Sequence, residues 1–165
     1  MIEIKRLPKN DVNFKSLTEF LMGLTRNHPK LGRDGAVCPY VAGGIKSDAF
    51  YACSIFSNDE FDVRRAIAGS LQPFRHLDGQ VTKKALFILF PSLNTEDTAF
   101  LDRAHKDFRI HFVRRKLMLG VFHPEEVSEG LHNGSFHPSV CDIPMAVVRN
   151  MVAGDKAFFG GSPHR

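Results

Sequence analysis

The sequence predicts an α+β domain in which a single mixed or antiparallel sheet of about four strands is covered by three helices. Three observations carry this. Ala85-Leu86-Phe87-Ile88-Leu89-Phe90 is a continuous apolar run, the pattern of a central strand buried on both faces. Residues 12–26 and 94–115 instead repeat apolar side chains at three and four, the period of an amphipathic helix. Two further apolar runs, Leu117-Met118-Leu119-Gly120-Val121-Phe122 and Pro144 to Met151, have no helical pattern between them. They therefore imply an antiparallel or mixed pairing.

The elements follow in order. Residues 1–12 form an irregular lead-in, and Asp11 caps a helix from about Val12 to Arg26 whose apolar face is Phe14, Leu17, Phe20, Leu21 and Leu24. Asn27-His28-Pro29 stops it. Residues 31–40 read as loop, with Gly32, Gly35 and Pro39 marking tight turns and Cys38-Pro39-Tyr40 a buried strand entry. Phe50 to Phe56 reads as a strand. Asn58 or Asp59 then caps a helix to about Phe74, with Arg64-Arg65 on its basic face. After the 85–90 strand, Asn94-Thr95-Glu96-Asp97 opens a long helix to about Arg115 with a good N-cap and early acids. His105 falls within its apolar face of Leu101, Ala104, Phe108 and Phe112. The tail at Phe158-Phe159-Gly160-Gly161 returns to coil. No repeat, linker or low-complexity tract divides residues 1–165, so one domain with one core is expected.

Composition narrows the function. The net charge of +4 comes from scattered basic pairs rather than a stripe, which speaks against nucleic acid as a partner. No stretch is long and apolar enough for a membrane span, and no signal-peptide core opens the chain. The three cysteines, Cys38, Cys53 and Cys141, form no CxxC pair, so neither a disulfide scaffold nor a zinc finger is indicated and a reducing cytoplasm is expected. Fifteen phenylalanines with two tyrosines and no tryptophan suggest a core or pocket with broad apolar faces and few polar handles. Gly-rich phosphate loops and a GxSxG elbow are absent. A small-molecule substrate is the expected partner, and an exposed sheet edge would allow a homodimer.

Candidate chemistry collects in two places. The connection between the last two apolar runs carries His123, His132 and His137. Imidazole is the commonest metal ligand, so these histidines could hold non-haem iron or zinc; the alternative is that they hydrogen-bond the loop backbone. His105 could join as a ligand or base from its helix, or be a core histidine bonded to a carbonyl. The second place is the early loop with His28, Arg33 and Cys38. Arg33 could pair two-to-two with a carboxylate, and Cys38 could be a thiolate, although no nearby lysine or helix N-terminus is apparent in the sequence. Glu125-Glu126 reads as solvated.

His28-Pro29-x-Leu31-Gly32-Arg33-x-Gly35-x-Val37-Cys38-Pro39-Tyr40, Gly120-x-Phe122-His123-Pro124, Gly130-Leu131-His132-Asn133 and Pro144-Met145 resemble the motifs of an uncharacterised family of small bacterial proteins. The resemblance runs from about residue 14 to 159. That family is a domain of unknown function with some members near biosynthetic gene clusters, so the resemblance by itself implies no activity. More distantly, the Cys-Pro loop and the late strand pair resemble the YqcI/YcgG-type proteins, some of which are haem-dependent N-hydroxylases of guanidine groups. That family has paired arginines in the late connection and a Cys after a proline, whereas this chain has histidines there and Cys38 before Pro39.

The likeness implies a haem-dependent monooxygenase acting on an amine or guanidine of a small amino-acid-like substrate. In that reading the phenylalanines line a slot, His28, His105, His123 or His132 ligates iron, and Arg33 and Arg149 take propionates or a substrate carboxylate. The alternatives are a non-haem iron or zinc enzyme using the 123–137 histidines, and a non-catalytic binding protein.

Overall fold

The computed structural model describes residues 3–7, 14–79, 81–127 and 133–158. In chain order its elements are β1 (Lys5–Arg6), α1 (Lys15–Leu24), α2 (Pro39–Lys46), β2 (Phe50–Ser54), α3 (Glu60–Gly69), α4 (Leu71–His76), β3 (Ala85–Leu89), α5 (Ala99–Val113), β4 (Leu117–Phe122) and β5 (Met145–Asn150). The strands form one five-stranded sheet in the order β1-β2-β3-β5-β4. Only β2 and β3 are parallel, and the other neighbours are antiparallel. The α+β class, the mixed sheet and the antiparallel β4–β5 pair agree with expectation.

Three expectations are corrected. The lead-in contributes a short fifth strand, β1, because Lys5 and Arg6 pair with Ala52 and Tyr51. The stretch after Cys38 is the helix α2, not loop or strand. Pro39 stands in its first turn, where a missing N–H costs nothing. The single helix expected to reach Phe74 breaks at Ser70 into α3 and α4. Asp59 is the cap of α3, its carboxylate accepting from the N–H groups of Phe61 and Asp62 at 2.8 and 3.3 Å. Asp11, the expected cap of α1, lies outside the described residues.

The sheet has two covered faces, and the period of two along each strand decides which side chain goes where. Leu86 and Ile88 of β3 and Ala146 and Val148 of β5 pack under α3 and α5. Ala85, Phe87 and Leu89 face the opposite way, toward α1 and α2. β3 is therefore buried along its whole length. α2 sits unusually close to β2. A Cβ on Gly44 would come within 2.0 Å of the Phe50 ring and 3.0 Å of the Lys83 carbonyl oxygen, so only glycine fits.

β4 is an edge strand. Leu117, Leu119 and Val121 are buried beneath α5, whereas Met118, Gly120 and Phe122 are only half-buried on the other face. The α1–α2 layer stops short there, and the space left between it and β4 is the main cavity of the protein. Among the described residues, no helix is long and apolar enough to cross a membrane.

Candidate functional site

The cavity has a volume of about 610 Å³, inside the roughly 300–1,000 Å³ typical of small-molecule sites. Its walls are largely apolar and include five phenylalanines, Phe20, Phe50, Phe87, Phe122 and Phe136. The skewed aromatic composition thus supplies the lining, as expected.

Its polar wall is built around Cys38. The Cys38 N–H donates to the Leu24 carbonyl at 2.8 Å and its own carbonyl accepts from Val41 at 3.1 Å, so the end of α1 and the first turn of α2 hold it. Cys38 is the N-cap of α2. A helix N-terminus, not apparent in the sequence, thus stands at Cys38, because Pro39 and Tyr40 open α2 and do not end a loop. Arg149 of β5 lies close enough to Cys38 for the two to interact electrostatically, and its guanidinium sits 4.7 Å above the Tyr40 ring. Burial pushes the Tyr40 phenol up to about 12, against the pull of Arg149.

Arg149 is not the free anion receptor expected from the sequence. Its fork donates to both oxygens of the buried Asp155, at 2.8 and 2.6 Å, and to the Asn150 carbonyl at 3.0 Å. Burial would raise the Asp155 carboxyl, but Arg149 and the Val152 N–H hold it below its ordinary value. Arg33 lines the rim of the cavity. It donates to the carbonyls of Asp34 and Ala36, each at 3.0 Å, and makes no ion pair among the described residues.

The two loops that the sequence left as separate clusters meet at the cavity mouth. His28 stacks on Phe136, with ring centroids 4.6 Å apart, and Asn133 donates to the Lys30 carbonyl at 2.8 Å. His28 Nδ1 accepts from the Lys30 N–H at 3.1 Å, capping the short turn at Pro29–Leu31 that ends at Gly32 with φ +78°. His28 is thus a loop brace and does not line the cavity.

The remaining histidines do not converge as expected. His105 lines the cavity, but its Nε2 is bonded to the Leu119 carbonyl at 3.0 Å. Burial lowers its pKa, an effect that bond opposes. This is the core-histidine alternative. His132 lies outside the described residues, and His137 is exposed. His123 is 1 % exposed and meets two carboxylates instead of other histidines. Its Nε2 is 3.0 Å from Asp102 Oδ1 and 3.6 Å from Glu126 Oε2. Glu126 is buried, which corrects the expectation that it is solvated.

Asp102 and Asp155 were not singled out from the sequence, Tyr40 was named only within a motif, and Glu126 only as a solvated carboxylate. Asp102 had a signal, since it sits three residues before His105 and so on the same side of a helix.

The free edge of β4 completes the wall. Lys116 accepts from the Met151 N–H, so the even-numbered residues of β4 bond to β5 and the odd ones point outward. The Leu119 carbonyl is taken by His105, and Val121, the next odd-numbered residue of this edge, also lines the cavity.

Fold and site together define a small α+β domain with a deep apolar cavity, a cysteine at a helix cap and a carboxylate–histidine cluster. The chain matches the domain-of-unknown-function family DUF6875 over residues 16–165 and belongs to it. No curated protein and no solved structure matches it.

Proposed function

We propose that this protein is a haem-dependent monooxygenase oxidising an amine or guanidine nitrogen of a small amino-acid-like substrate. One observation carries the reading. Cys38 is a free thiol on the wall of a cavity of about 610 Å³ lined by phenylalanine. The residues fit the group. Haem needs a broad apolar slot, an axial donor and cationic partners for its propionates. Phe20, Phe50, Phe87 and Phe122 supply the slot. Among the described residues the histidines serve poorly as donors, because His28 and His123 do not line the cavity and His105 is committed to Leu119. Of the two sulfur residues on the wall, Cys38 and Met118, this reading takes Cys38 as the ligand, because it stands at a helix cap, in place of the histidines.

A ligating thiolate carries negative charge, which the N-terminus of a helix such as α2 favours. Arg149 acts there as a fixed positive neighbour oriented by Asp155, and Arg33 at the rim is the residue placed for a propionate. Bound haem supplies activation of dioxygen or peroxide. The outward carbonyl of Val121 accepts from the substrate nitrogen and orients it.

The test is the ultraviolet–visible spectrum of protein expressed with iron and a haem precursor. A Soret band is expected, with the red-shifted ferrous carbonyl form that marks thiolate ligation, and Cys38→Ser should lose that signature. A flat visible spectrum would end the reading. A Soret band unchanged in Cys38→Ser would keep the haem and refute the ligand.

A further inference from the structure

The geometry points to a divalent metal site formed by Asp102, His123 and Glu126, the two carboxylates lining the cavity. It is independent of the haem reading, since it uses none of the same residues.

Three elements deliver the donors. Asp102 comes from the first turn of α5, His123 from the residue after β4, and Glu126 from the turn that follows. That turn is held by the Glu126 N–H donating to the His123 carbonyl at 3.2 Å, and the Cys141 N–H donates to the same oxygen at 3.3 Å. The backbone around the imidazole is therefore fixed from two sides. One ligand atom from each residue lies within 4.8 Å of the others, with His123 Nε2 at 3.0 and 3.6 Å from the two carboxylates.

Ligands at about 2.0–2.2 Å from an ion, at right or tetrahedral angles, stand roughly 2.8–3.6 Å apart. Two of the separations already fall in that window, and the third needs only a small inward turn of an exposed aspartate.

Burial adds an independent argument. His123 is 1 % and Glu126 8 % exposed. His123 Nδ1 has no hydrogen-bond partner among the described residues, so the two carboxylates at Nε2 are the groups that orient the ring. A dication between them would offset the paired negative charge and take the Nε2 lone pair, with the ring proton on Nδ1. Asp102 is the exposed member and lines the cavity with Glu126, so it provides the way in and leaves further coordination positions open toward the cavity. One imidazole with two carboxylates is a nitrogen–oxygen set suited to Mn²⁺, Fe²⁺ or Zn²⁺ and unsuited to Cu⁺.

The test uses the full chain, stripped with a chelator and free of haem. Mn²⁺ is titrated and followed by loss of the free-ion paramagnetic resonance signal, and Co²⁺ by its visible absorption. Saturable binding of a single equivalent is expected, weakened roughly tenfold or more in Asp102→Asn and in Glu126→Gln. Asp102 is exposed, so its variant should fold normally and can be read alone if Glu126→Gln does not. The site would be overturned by no saturable binding of either ion, by undiminished binding in Asp102→Asn, or by a Co²⁺ spectrum dominated by a thiolate charge-transfer band that Cys38→Ser removes. Protection of the protein by guanidinium at low concentration but not by either metal would equally refute it, and would assign the carboxylates to an organic cation.

Discussion

Arg149 illustrates how burial rewrites the role of a side chain. Read along the chain it is a cation available to an anionic group. In the fold it is committed to Asp155, whose carboxylate is 3 % exposed. Removing the cation strands a buried charge. Arg149→Met should therefore destabilise the protein by roughly 3 kcal/mol, read from urea unfolding. The pH dependence has a definite sign. Asp155 has a folded pKa below its ordinary value, so its contribution is fully present above about pH 4 and is lost as the pH falls through the folded value. Asp155→Asn should flatten that part of the acid limb while lowering stability at neutral pH. An acid limb identical to that of the wild type would refute the assignment. His123 makes the same point in the other direction. Three histidines in one connection suggested a shared metal, yet the partners of His123 are Asp102, 21 residues earlier, and Glu126.

At the scale of elements, β4 decides where the site can be. A strand read from sequence as a plain apolar run turns out to be an edge with one face under α5 and the other facing the cavity. Gly120 sits in the middle of that open face. A Cβ there would meet only the Phe122 ring, at 3.3 Å, so the glycine is not demanded by the backbone. Its smallness leaves room for a ligand against the strand. Gly120→Val should leave thermal stability unchanged or slightly raised, since valine suits a strand, while sharply weakening cavity binding. Haem retention after gel filtration, or displacement of an apolar dye, would measure it, and retention equal to the wild type would count against the cavity as the binding site. α2 shows why Cys38 was misjudged. Residues 31–40 read as loop, yet Pro39 and Tyr40 already belong to its first turn. Gly44 lets the helix pack against Phe50, and its cap, Cys38, lines the cavity.

At the scale of the molecule, the early loop and the late connection close one mouth. The His28–Phe136 stack and the Asn133–Lys30 bond span about a hundred residues of chain. In each contact one partner, His28 or Lys30, is exposed and the other half-buried, so the contacts contribute little to global stability. Phe136→Ala is expected to change the unfolding midpoint only slightly and to speed ligand release, as measured by stopped-flow displacement. A large loss of stability with unchanged release would show that the stack is structural rather than a closure.

The α+β class, the buried central strand, the antiparallel final pair, the Asp59 cap and the phenylalanine-lined cavity were legible in the sequence. They are local, arising from apolar period, capping chemistry and composition, and those act between near neighbours. The helix at 39–46, the added strand β1, the Arg149–Asp155 pair and the Asp102–His123–Glu126 cluster were decided only in the tertiary structure. Each depends on a contact between distant segments whose free energy, from burial and charge pairing, outweighs what the local residues prefer.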